Sequence, residues 1–152
     1  MLAQMEAQAM QVRSLADTLQ SLDREASENF WQYDATVLNQ ARSHVNDMDG
    51  MLCRLQAIRR ATDPWERKAI GDIAPSVIEL SDSTQDAINY LDEREDALMF
   101  PTFTDQAEVM YDKSNRIVNF VNRFQDYKSD RAEARKFDRD TRKLAAQLGI
   151  GS

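Results

Sequence analysis

Apolar residues recur at helical spacing along almost the whole chain, and only four glycines and three prolines interrupt them in 152 residues. A strand needs alternation with a period of two, whereas spacing of three and four places one stripe of side chains along one face of a helix. In the first segment Leu2, Met5, Ala9, Val12, Ala16 and Leu19 alternate strictly by three and four, with Leu15 and Leu22 widening the stripe. This predicts a helix over about 2–26. Ser27 to Tyr33 read as a linker, and Asp34 as an N-cap for the next helix.

That second helix is expected over about 35–62, carrying Val37, Ala41, Met48, Leu52, Leu55 and Ile58, with Gly50 tolerated inside it. Asp63-Pro64 then stops one helix and starts another, because a proline at the first helical position loses only a donor that has no partner anyway. The third segment, about 64–98, shows Ile70, Ile73, Val77, Leu80, Thr84, Ala87, Ile88 and Leu91. Pro75 within it predicts a kink, since its ring meets the carbonyl of Gly71. Phe100-Pro101 ends that segment. A fourth helix over about 105–148 carries Met110, Ile117, Val121, Phe124, Tyr127, Phe137, Leu144 and Leu148.

Four amphipathic helices with short connections predict an all-α fold: an elongated, antiparallel up-down-up-down four-helix bundle forming a single domain, with a long C-terminal helix. No apolar run reaches the roughly 20 residues of a membrane span. The net charge of −7 argues against a general nucleic-acid binder. The N-terminus lacks the basic start and apolar stretch of a secretory signal, and the compartment stays open because an upstream signal could have been removed.

The motifs of common chemistries are missing. Cys53 is the single cysteine and His44 the single histidine, so neither paired Glu-x-x-His metal ligands nor a two-histidine zinc helix can be assembled. Nine positions apart on one helix, these two side chains point about 180° apart, which removes a nucleophile–base pair. His44 reads as a boundary histidine at the edge of the second stripe, with haem ligation as the competing role. Asp47-Met48-Asp49-Gly50 resembles the start of a calcium loop but lacks the later ligands. No catalytic residue, metal ligand or cofactor is therefore expected.

Two surfaces remain. Phe30, Trp31 and Tyr33 in the first connection, and Phe100 and Phe103 in the third, belong to loops at the same end of an up-down-up-down bundle, with Tyr90 approaching from the third helix. They form either a plug that seals the core or an aromatic cup for a small ligand. The second surface is C-terminal. Helix four, at about 44 residues, extends about 66 Å against about 38 Å for helix one, leaving Phe137, Leu144 and Leu148 short of partners. Beside them Lys128, Arg131, Arg135, Arg139 and Arg142 form a basic stripe, and residues 126–143 carry seven basic and five acidic side chains, +2 against −9 for the remainder. This stripe is a solvated face or a docking surface for an acidic partner, a second copy or an upstream stretch of helix. The expected role is a non-enzymatic bundle acting through protein contacts at the C-terminal helix. The alternative is a sensory or small-ligand-binding bundle that uses the aromatic end.

Overall fold

A computed structural model describes residues 1–24, 31–93 and 104–147. The fold is all-α, with four helices: α1 (Leu2–Arg24), α2 (Trp31–Ile58), α3 (Pro64–Asp92) and α4 (Thr104–Gln147). Among the described residues only Met1, Thr62, Asp63 and Glu93 lie outside a helix, and there is no strand. By backbone contacts the chain divides into two units, Met1–Phe120 and Val121–Ser152.

The first unit is a helical bundle built on three-four seams. α1 buries Met5, Ala9, Val12, Ala16 and Leu19, and α2 buries Leu38, Ala41, Val45, Met48, Leu52 and Leu55. α3 contributes Ile70, Ile73, Val77, Leu80, Thr84, Ala87 and Leu91; the first turns of α4 contribute Ala107, Met110, Ser114 and Ile117. Each seam keeps the spacing of 3.5 residues per turn that holds one stripe against its neighbours. Large side chains (Met48, Leu80, Met110, Ile117) share the core with small ones (Ala9, Ala16, Ala41, Ala107). Thr84 and Ser114, both within the core, donate their hydroxyls to the carbonyls of Leu80 (2.8 Å) and Met110 (2.6 Å), which removes the cost of burying them.

α2 begins at Trp31, four residues earlier than the sequence predicts, and Asp34 is not its cap. Asp34 lies in the first turn and is only 6% exposed. Counting back by three and four from Ala41 and Leu38 reaches it, so Asp34 occupies the core seam. The positive end of the helix dipole favours a carboxylate at that place.

Between α2 and α3 the backbone tightens into a single 3₁₀ turn, Arg59–Ala61. The Thr62 hydroxyl donates to the Arg59 carbonyl (2.8 Å), and the Arg67 guanidinium reaches back to the carbonyls of Arg60 (3.4 Å) and Thr62 (3.3 Å). Pro64 opens α3, as expected, with Asp63 in the capping position. The Asp63 side chain makes no hydrogen bond to the helix backbone; its carboxylate accepts from the Trp65 indole N–H at 3.3 Å. Pro75 lies inside α3 with its ring exposed, and the helix runs on to Asp92 without a break.

Candidate functional site: the distal half of α4

Polar bridges tie the bundle together around its circumference. Gln8 of α1 and His44 of α2 meet at 2.5 Å, and the Ser81 hydroxyl of α3 donates to Asp49 of α2 at 3.1 Å. Lys113 of α4 pairs with Glu79 of α3, and the Arg13 guanidinium of α1 donates to Asn115 of α4 at 3.0 Å. A bridge thus spans each neighbouring pair, α1–α2, α2–α3, α3–α4 and α4–α1, which orders the helices cyclically. His44 stands at the boundary with Nδ1 engaged by Gln8, so among the described residues it serves as a link between two helices.

Two carboxylates in this ring are shifted in opposite directions. Burial raises the pKa of Asp49, with Asp82 adding repulsion, although the hydrogen bond from Ser81 acts the other way. The hydrogen bond from Lys113 lowers that of Glu79, aided by the charges of Lys113 and Arg116. Neither belongs to a larger constellation. Among the described residues no group of three or more His, Cys, Asp or Glu side chains converges as a metal site, and no helix is long and apolar enough to cross a membrane. Asp47, Asp49 and Gly50 lie within helix α2.

Of the aromatic end, Phe30, Phe100 and Phe103 and the side chain of Trp31 lie outside the described residues. Trp31 is the first residue of α2; Tyr33 is 50% exposed, and Tyr90 is half-buried near the end of α3.

The C-terminal surface is described except for Leu148. The second unit is the continuation of α4 to Gln147, a helix rich in charge. Phe137 is 75% exposed and Leu144 56%, unusual values for large apolar side chains. Arg135, Arg139 and Arg142 are exposed, and Arg142 pairs with Asp138 one turn earlier at 2.9 Å.

The basic stripe is visible in the sequence; its register against the buried seam comes from the structure. The buried seam of the first turns of α4 runs 107, 110, 114, 117. Continued by the same three-four steps it passes Val121 and Phe124, then meets Lys128, Arg131, Arg135, Asp138 and Arg142. Four of the five residues of the basic stripe, Lys128, Arg131, Arg135 and Arg142, therefore occupy the heptad positions that carry the core in the first unit, with Asp138 between them and Arg139 one residue off the seam. The apolar residues Ala134, Phe137 and Leu144 fall one residue earlier in register, a turn of about 100° around the helix. The second unit thus presents two adjacent stripes, one charged and one apolar. No family model matches the chain, and neither a curated protein nor a solved structure matches it.

Proposed function

We propose that this chain is a non-enzymatic helical bundle that acts through protein contacts, and that the distal half of α4 makes them. The observation that carries this reading is the pair of adjacent stripes on residues 124–147. A solvated helix gains nothing from exposing Phe137 and Leu144 on one face beside a seam that is cationic at four of its five positions from 128 to 142. Both are features of interface residues, where aromatic side chains anchor and arginines surround them.

The bundle of residues 1–120 serves as the rigid platform. We take its neighbouring helices to run antiparallel. Asp49 lies against Ser81, and the Arg59 guanidinium lies where a side chain on Gly71 would begin, 3.0 Å from an ideal Cβ. Rising numbers through α2 and the 3₁₀ turn that follows it thus pair with falling numbers on α3, which supports that course.

The test compares the intact chain with a variant in which Phe137, Leu144 and Leu148 are all serine, by sedimentation and by affinity capture with identification of the retained protein. The reading expects self-association or a specific partner for the intact chain, lost in the variant while helix content is kept. If both chains are monomeric and retain the same proteins, the distal helix makes no contacts of consequence.

A further inference from the structure

The outer face of α3 carries a second three-four pattern. Asp72, Pro75, Glu79, Asp82, Asp86, Asn89 and Glu93 succeed one another by three and four, and all seven are exposed. Glu79 is engaged by Lys113 and Asp72 by Lys68 (2.5 Å). Asp82, Asp86 and Glu93 have no ion-pair partner among the described residues. The lower half of α3 is thus an acidic rail facing solvent.

We propose that the basic seam of α4 in one copy of this chain docks along the acidic rail of α3 in a second copy, so that the chain is its own partner. This rests on the protein-contact reading above and names the occupant. The two patterns match in length and phase. The steps from 79 through 82, 86 and 89 to 93 are those from 128 through 131, 135 and 138 to 142, and each run spans fifteen residues, about 21 Å of helix between its ends.

Register and polarity follow from the exceptions in each pattern. Laid parallel at a constant offset of 49, the rails set Lys128 against Glu79, Arg131 against Asp82, Arg135 against Asp86 and Arg142 against Glu93. The interruption of the basic seam, Asp138, then faces the interruption of the acidic rail, Asn89, whose amide can donate to a carboxylate. Laid antiparallel, Asp138 faces Asp82, a like-charge contact that disfavours this arrangement. Lys113 already holds Glu79, and Asp138 holds Arg142, so the central pair Arg135–Asp86 dominates the docking.

Net charge points the same way. Residues 121–152 carry eight basic and five acidic side chains, a net +3, which leaves −10 for residues 1–120 out of the total of −7. The second unit of one copy is attracted by the first unit of another at long range. Exposed ion pairs contribute little each, so the association is weak, appears at high protein concentration and fades with salt. If each copy gives its α4 and receives the other's, the contact closes into a two-fold dimer.

The experiment is sedimentation equilibrium of the full chain with exchanged charges. The intact chain is expected to associate at about 50 mM salt and to dissociate at about 0.5 M, where the Debye length falls to a few ångströms. Arg135→Glu and Asp86→Arg should each weaken self-association at least tenfold, both with unchanged helix content. An equimolar mixture of the two variants should associate again, since each crossed contact then pairs a glutamate with an arginine or keeps the original pair. An intact chain that is monomeric at every concentration overturns the proposal, as does association indifferent to both reversals. So does a mixture that fails to recover, which places the basic seam on another surface. The serine variant of Phe137, Leu144 and Leu148 keeps both rails, so its result judges the protein-contact reading independently of this register.

Discussion

The two halves of α4 share one helix and one heptad register, yet they have opposite surfaces. In the first half the register positions are Ala107, Met110, Ser114 and Ile117, all with 0% exposure. In the second half the same positions hold Lys128, Arg131, Arg135, Asp138 and Arg142. Backbone geometry is therefore not what separates bundle from extension. A helix continues for as long as its residues tolerate one, and packing continues only while the seam stays apolar. Arginine, lysine, alanine and glutamine are good helix formers, so the distal half keeps its conformation while its seam has changed from burial to charge.

The largest expected difference between the halves is in stability. Ile117→Ala should cost about 2–5 kcal/mol, because it empties part of a core from which water is excluded. Phe137→Ala removes a larger side chain but, at 75% exposure, should change monomer stability by no more than about 0.5 kcal/mol. Urea unfolding of both variants decides. Equal losses would mean that Phe137 is packed in solution and that the comparison is wrong.

Much of this architecture was legible because three-four spacing is a direct consequence of helix geometry. Met5, Ala9, Val12, Ala16 and Leu19, which share one stripe in the sequence, form the buried face of α1, and Pro64 stands at the start of α3. The missed start of α2 has a physical cause. Asp34 reads as a cap because a carboxylate is seldom buried, and polarity outweighed register, although 34, 38, 41 and 45 form an unbroken seam. The basic stripe is legible in the same partial way: its spacing stands in the sequence, whereas its phase is defined only by the buried positions 107, 110, 114 and 117. The acidic rail on α3 is not legible by itself, because single carboxylates on an exposed face look like ordinary solvation. It is visible only against Lys128, Arg131, Arg135 and Arg142, in matching steps. Bridges such as Gln8–His44 and Arg13–Asn115 join residues far apart in the chain, and helical periodicity carries no information about them.

Those bridges supply a second contrast. Gln8→Ala or Arg13→Ala removes a half-buried hydrogen bond between helices and should cost about 0.5–1.5 kcal/mol. Arg142→Ala removes an exposed pair within one helix, with side chains 80% and 63% exposed, and should cost about 0.5 kcal/mol or less. Thermal unfolding in low salt measures both, and an Arg142 loss matching that of Arg13 would indicate that the distal half is docked.

Helix propensity sharpens the comparison further. Gly50 is exposed inside α2, and a Cβ added there meets nothing within 4 Å. Gly50→Ala should raise global stability by up to about 1 kcal/mol. Ala134→Gly applies the opposite change in the distal half, costing about 1 kcal/mol of local helix stability. If the two units unfold separately, amide exchange should accelerate only around residue 134, with the exchange of α2 and the global midpoint unchanged. A lower global midpoint would show that the halves melt as one.

The smallest effect expected is a pH dependence confined to the first unit. Glu79 has its pKa lowered by Lys113, so it binds protons less readily folded than unfolded. Its contribution to stability is therefore present above its unfolded value, near 4.5, and is lost as pH falls through the folded value. Asp49 works in reverse. With a pKa raised by burial, it takes up its proton in the folded state first, so its unfavourable contribution is relieved as pH falls toward 3.8, its ordinary value. Lys113→Met should flatten the acid limb that belongs to Glu79, whereas Asp49→Asn should raise stability at neutral pH and lose that advantage on acidification. Both are read from urea midpoints between pH 7 and about 3, the range over which carboxylates titrate. A Lys113→Met chain with an unaltered acid limb would show that the α3–α4 bridge carries no stability in solution. The outward carboxylates of α3 would then owe nothing to α4 of their own bundle.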